Sequence, residues 1–409
     1  MGLWQLFVVA LMPVVKVLLI TAVGVFLATE RMDILGTDAR KHLNSLVFYV
    51  LNPALVGSNL AKFITLKSIV MLWFMPLNIL ITFIAGSALG WLLIKITKAP
   101  IHLRGLILGC CAAGNLGNMP LIIIPAACEE KGNPFGDASI CKMHGLAYAT
   151  LSLAIGSILL WSYVYNIVRI YSSTDSDETK PDALPEGIES AREITPGPML
   201  FLKEPSIDEG MENFELDRAV SKGKVPFPEN IKQGFQKVLK KLNLKRLLSP
   251  SINGAIVGFI AGTIPPFRKV LIGDSAPLRV VEDSAYFVGE SAITITTLIL
   301  GANLLKGFRG SKVPISVIIG ITAVRYIILP ILGVGFIKCA VHFGAVNSDP
   351  LYKFVLLLQF ALPPAINIGT MTQLFGAGEA EYSVIMLRTY ALASVSVMLW
   401  SAFFMWLVK

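Results

Sequence analysis

The stretch AAGNLGNMPLIIIP, Ala112–Pro125, decides how this chain is read. It is apolar enough to lie in a bilayer, yet its 14 residues include two Asn, two Gly and two Pro. Pro120 has no N–H for the Leu116 carbonyl, and Pro125 has none for Leu121. Gly114 and Gly117 add little helix propensity. In hydrocarbon, such backbone defects survive only inside protein or beside a wet cavity.

The surrounding composition places the stretch in a membrane. Of 409 residues, 54% are hydrophobic and 15% are charged, against about 25% charged in soluble domains. The net charge of +8 suits the Lys/Arg flanks of membrane helices. No groove-reading motif is present, so nucleic acid is not an expected partner. The first apolar run, Leu3–Ala28, reads as a retained helix rather than a cleaved signal. No Walker sequence points to an ATP-driven pump. Asp137, Ser139 and His144 lie close together in GDASICKMHG, but proximity in sequence makes no triad. Neither enzyme chemistry nor a cofactor or metal is expected.

Ten segments are long and apolar enough to be spans. The first five run roughly over residues 6–28, 43–60, 69–96, 103–127 and 143–170. The second five cover roughly 248–264, 286–305, 313–341, 351–375 and 382–408. Between the sets, residues 171–246 are polar and rich in Pro, Ser and acid, which reads as a disordered linker. Its end places Ile231, Phe235, Val238 and Leu242 on one helical face and Lys on the other. That pattern predicts an amphipathic surface helix, and a calmodulin target fits it too. The expected organisation is thus 1–170, a cytosolic linker 171–246, and 247–409.

The fourth segment of the second set carries a matching defect, FALPPAINIGT, Phe360–Thr370. Pro363 and Pro364 free the carbonyls of Gln359 and Phe360. Pro120 and Pro363 are 243 residues apart, and the same shift superimposes the second and third segments on the seventh and eighth. Five spans per set is an odd number, so the second set enters from the opposite side. The expected fold is all-α and membrane-embedded, two inverted five-helix repeats with the fourth and ninth helices crossed and broken at Pro. Lys232, Lys237, Lys240, Lys241, Lys245 and Arg246 place the linker in the cytosol and both termini on the far side.

Broken helices offer chemistry. The first N–H groups of each half-helix lack intrahelical partners, and the dipole adds about half a positive charge there. Two such ends meeting in mid-membrane suit a carboxylate. Asn115, Asn118 and Asn367 are candidate amide donors or caps, and Asn52-Pro53 kinks the second helix toward the same place. Freed carbonyls suit a cation as well, which leaves a sodium or proton route open.

GNLGNMPLIIIPAAC, LSPSINGAIVGFIAGTIP, VGESAITITTLILGANL and LQFALPPAINIGTMTQLF together resemble the plant PIN-LIKES family of auxin transport facilitators, related to the PIN auxin efflux carriers. The resemblance covers the chain outside the linker. It implies ten helices in two inverted repeats, indole-3-acetic acid as substrate, and the endoplasmic reticulum membrane with the linker cytosolic. The PIN carriers join Asn to Pro in the fourth helix, whereas Met119 separates Asn118 from Pro120 here. The expected partners are the carboxylate substrate and the bilayer, with a homodimer left open.

Charged residues within spans are costly and face a partner or cavity. Glu290 falls where the PIN carriers are similarly acidic, with Lys16 as its candidate counter-ion and Arg325 as further charged support. Tyr148 begins the fifth helix and is a candidate ligand contact. On this orientation the loop bracketed by Cys128 and Cys141 is lumenal, where disulfides persist, and the two are expected to be bonded. The expected activity is auxin transport by alternating access. The alternatives are a sodium- or proton-coupled carrier of another organic anion, and a non-transporting receptor or scaffold.

Overall fold

The computed structural model describes residues 3–65, 70–130, 132–178, 250–273, 275–308, 313–375 and 378–409. The basic cluster at 232–246 and the predicted amphipathic helix lie outside them, as does the linker from residue 179 onward. The described residues form helices and the loops between them, with no strand. These are α1 (Leu3–Leu27), α2 (Thr37–Phe63), α3 (Phe74–Thr97), α4 (Ile101–Ala112) and α5 (Asn118–Glu129). Helix α6 begins at Ala138 and passes through a π turn, Leu160–Val164, to Glu178. The second half holds α7 (Pro250–Thr263), α8 (Pro265–Leu271), α9 (Arg279–Phe308), α10 (Ile315–His342), α11 (Pro350–Leu358), α12 (Asn367–Phe375) and α13 (Glu379–Val408).

Six of these, α2, α3, α6, α9, α10 and α13, are long and apolar enough to cross a membrane. The quoted stretch contains a true interruption. Helices α4 and α5 have 12 residues each, and α11 and α12 have nine each. At about 1.5 Å per residue none of the four spans a hydrocarbon core of about 30 Å.

Several helices extend beyond their apolar cores into polar sequence. Helix α2 starts at Thr37 rather than Leu43, α9 at Arg279 rather than Tyr286, and α13 at Glu379 rather than Tyr382. Their first turns hold Asp38, Glu282, and Glu379 with Glu381, acids that favour the positive helix end. Helix α6 likewise continues past Ile170 to Glu178, so the start of the expected linker is helical. No proline interrupts it before Pro181.

The prolines are placed differently from a simple kink. The first break covers residues 113–117, upstream of Pro120, which sits in the first turn of α5. An N–H there would lack an intrahelical partner anyway, so proline is tolerated. Pro125 lies inside α5 without ending it. Pro363 and Pro364 sit within the non-helical segment between α11 and α12.

Glycine sets how closely some helices pack. Helix α7 lies on α2, α1 on α9, and α9 on α2. A side chain on Gly258 would run into the Gly57 carbonyl, and one on Gly301 into the Thr21 carbonyl. Such backbone contact is how membrane helices gain dispersion energy without a hydrophobic drive. Gly258→Val is therefore expected to cost about 1–3 kcal/mol by overpacking. Thermal unfolding of the purified protein should show the loss. Gly335→Val, where nothing lies within 4 Å of an added Cβ, should leave the midpoint nearly unchanged.

Candidate functional site

The two broken segments cross and hydrogen-bond to each other. Gly114 and Pro364 form an antiparallel bridge. The Asn115 N–H donates to the Pro363 carbonyl at 2.8 Å, and the Ala365 N–H donates to the Ala113 carbonyl at 3.0 Å. Each break thus satisfies part of the other's backbone.

Side chains satisfy other carbonyls at the crossing. Arg325, fully buried in a π turn of α10, donates from Nε to the Leu362 carbonyl at 2.9 Å and from Nη1 to Cys111 at 3.2 Å. Its Nη2 donates to Leu362 and, at 3.4 Å, to Pro363. A Cβ at position 114 would strike that guanidinium, which explains Gly114. Tyr390 of α13 donates to the Pro364 carbonyl at 2.9 Å and accepts from Asn115 Nδ2 at 3.1 Å. Tyr382 donates to the Ile366 carbonyl at 2.8 Å.

A second polar network buttresses the crossing. Asn78 of α3 donates to the Leu356 carbonyl at 3.1 Å and to Gln359 Oε1 at 2.7 Å. Gln359 Nε2 donates to Ser152 Oγ of α6 at 3.1 Å. Three elements are thereby pinned by buried amides.

On one side of the crossing lies a cavity of about 30 Å³ lined by both breaks and by Asn52, Asn115, Ser157 and Asn367, with apolar walls from α2 and α6. No acidic or basic side chain lines it. Helices α5 and α12 both start at the crossing, so two helix N-termini contribute partial positive charge there. Arg325 lies directly behind Gly114. The arrangement is electropositive without a cation of its own in the cavity, which suits a carboxylate.

The candidate residues divide accordingly. Asn52, Asn115 and Asn367 meet at this cavity, while Pro363 and Pro364 form the crossing. Asn118 begins α5, with Pro120 two residues on. Tyr148 lies elsewhere. It donates to Asp349 Oδ2 at 2.8 Å and packs its ring 5.2 Å from Tyr352. Glu290 is exposed on α9 and hydrogen-bonded to Tyr286. Lys16 is exposed on α1 and forms no ion pair with Glu290. Cys128 and Cys141 are joined as a disulfide, with Cα atoms 5.6 Å apart.

Tyr390, Tyr382, Asn78 and Gln359 join the site without being among the residues the sequence singles out. The two amides had a signal, being polar groups inside apolar runs. The tyrosines had none, because an aromatic residue in a membrane helix is ordinary.

Tyr390→Phe removes only the hydroxyl and leaves the Pro364 carbonyl and the Asn115 amide short of a partner. The expected cost is about 1–3 kcal/mol, read as a lower thermal midpoint. Arg325→Met strips the buried Cys111 and Leu362 carbonyls of their donor and removes a second donor from Pro363, and should reduce folded yield far more. Wild-type yield and midpoint in Arg325→Met would show that the crossing does not depend on the guanidinium.

Comparison with known proteins shows the family. Residues 9–401 match the family described as membrane transport protein. The chain is 49% identical over 404 residues to Protein PIN-LIKES 3 of Arabidopsis thaliana, covering 99% of this chain and 98% of that protein. It is 52% identical over 408 residues to Protein PIN-LIKES 1 of the same plant, covering 100% and 81%. Protein PIN-LIKES 4 is 46% identical over 429 residues, with both chains covered in full. Matches of this extent run over nearly the whole chain, and the chain therefore belongs to the PIN-LIKES group of the membrane transport protein family, a family of transporters rather than enzymes.

Proposed function

We propose that this protein carries auxin, as the indole-3-acetate anion, across the endoplasmic reticulum membrane by alternating access. The carrying observation is the accounting of the crossed breaks. The carbonyls of Cys111, Ala113, Leu362, Pro363, Pro364 and Ile366 already accept hydrogen bonds from the chain's own donors. The polar side chains lining the cavity are Asn52, Asn115, Ser157 and Asn367, with the starts of α5 and α12 beside it. Such a site favours a carboxylate over a metal cation.

The packing supports a division into two moving parts. Helices α1, α2, α7 and α9 pack on one another through glycine contacts and form a scaffold. Helices α3–α6 and α10–α13 surround the crossing. In this reading the ten spans are α1, α2, α3, α4/α5 and α6, then α7, α9, α10, α11/α12 and α13, related as inverted repeats. The contact of α1 with α9 mirrors that of α7 with α2, as an exchange of first for sixth and second for seventh helix requires.

A cavity of about 30 Å³ accommodates one or two waters, not an aromatic acid. Substrate entry therefore requires α2 to move away from α6 and the crossing. One latch opposes that movement. Asn44 Nδ2 of α2 donates to Gln373 Oε1 of α12 at 2.9 Å, and Gln373 Nε2 donates to Glu379 Oε1 at 3.3 Å. The disulfide loop agrees with a lumenal position for the α5–α6 end.

Uptake of labelled indole-3-acetate into proteoliposomes tests the reading. Saturable uptake is expected, and replacing sodium by choline should leave it unchanged. Strict sodium dependence would favour the coupled-carrier alternative. Asn115→Ala should weaken apparent affinity about tenfold, the scale of one hydrogen bond to a charged group. Cysteines at positions 44 and 373, joined by a short bis-methanethiosulfonate that forms a disulfide at each, should block uptake until reductant cleaves them. Full uptake by the cross-linked protein would remove the latch from the mechanism.

A further inference from the structure

A larger cavity lies away from the crossing, in the scaffold. It is a groove of about 450 Å³ between α2, α7 and the start of α9. Its lining runs along α2 from Tyr49 to Ala61, a rise of about 18 Å. Its walls are mostly apolar, and Tyr49, Val257 and Val281 at its mouth are exposed. An exposed apolar mouth on a membrane helix faces lipid.

One end of the groove is charged. Glu282, in the first turn of α9, lines it with a side chain only 7% exposed. Its Oε1 is buried and accepts no hydrogen bond. Lys62 Nζ stands 3.9 Å from that oxygen and 4.2 Å from the centre of the Tyr286 ring, over which it lies, while Arg279, three residues before Glu282, donates to Asp283, which also bonds to the Glu282 carboxyl. Arg268 cannot serve in its place. Its guanidinium is spent on the carbonyls of Ala61, Ile64, Gly262 and Lys62, where α2 and α7 end. A buried carboxylate oxygen without a donor is costly, and here it borders the largest of these cavities.

The ligand that completes this end needs an N–H donor for Glu282 and an anion for the partly exposed Lys62. It also needs a hydrocarbon chain for the apolar trough. We propose that the groove holds one membrane phospholipid with a primary-ammonium headgroup, a phosphatidylethanolamine. Its ammonium meets Glu282, its phosphate meets Lys62, and one acyl chain lies along α2 and α7. A trimethylammonium headgroup has no N–H and cannot supply the missing bond. A second copy of this chain would cover the same face only by bringing an N–H donor of its own to Glu282, a case that cross-linking between copies reads.

Native mass spectrometry of the full chain tests this, with equal amounts of phosphatidylethanolamine and phosphatidylcholine of the same acyl chains in the detergent. The wild type should retain the ethanolamine lipid about tenfold over the choline lipid, as one charge-assisted hydrogen bond requires. Glu282→Gln should bring the ratio toward one. Lys62→Gln, a change at a half-exposed site, should lower retention of both lipids even if Glu282→Gln folds poorly. Val257→Trp should fill the groove and remove the adducts. Equal retention of the two lipids by the wild type would overturn the proposal, as would an unchanged preference in Glu282→Gln. Efficient disulfide cross-linking of Val257→Cys between copies in liposomes would overturn it too, by assigning the groove to a second copy.

Discussion

Hydrocarbon offers no hydrogen bonds, and this chain deliberately interrupts two helices inside it. The structure depends on how that debt is met. Arg325 is the centre of the solution, since one planar guanidinium reaches carbonyls on both breaks, at Cys111 on one and Leu362 and Pro363 on the other. A lysine would supply donors from a single point and could not span the two segments in the same way. Two tyrosine hydroxyls take the Pro364 and Ile366 carbonyls, and the facing backbone takes those of Ala113 and Pro363. The crossing is therefore a closed hydrogen-bonded unit rather than a flexible hinge.

Closure of the carbonyl side gives the crossing its polarity. Where an unwound segment leaves carbonyls open, it attracts cations. Here the carbonyls face Arg325, Tyr390 and Tyr382, and the cavity sees Asn52, Asn115, Asn367 and the starts of α5 and α12. Proline strengthens the bias by its position. Pro120 stands in the first turn of α5, where the chain needs no N–H for its helix, and Pro363 and Pro364 stand where no helix could run. The same residues that end a helix also present the next one's positive end.

Much of this was legible because it rests on backbone chemistry written into residue type. Gly114, Pro120, Pro363 and Pro364 announce interruptions, and apolar length announces spans. The exact break was not legible. Pro120 is tolerated one turn into a helix as readily as it ends one, so sequence alone could not choose between residues 113–117 and the proline itself. Long-range partners were hidden for a different reason. Tyr390 is 275 residues from Asn115 in sequence, and nothing local marks its hydroxyl. Lys16 and Glu290 show the converse, two charges in apolar runs that the fold leaves on exposed helix faces rather than joining. Helix ends also exceeded their apolar cores, because acids such as Glu379 and Glu381 stabilise a first turn that hydropathy alone would discard.

Rigidity at the crossing places motion elsewhere. A carrier cannot widen its site by breaking the Arg325 network, since that would expose several carbonyls to hydrocarbon at about 1–3 kcal/mol each. Movement must occur where surfaces slide without losing backbone partners. The glycine-lined contacts of α1 with α9 and α2 with α7 are too close-packed to slide freely. The α2 face toward α6 differs, because beyond the Phe48–Trp161 ring contact the crossing cavity lies between them, and among the described residues Asn44–Gln373 is the polar link across to α12. The seam that opens in the proposed mechanism thus runs through the proposed substrate site itself, so access and binding would be governed by one surface.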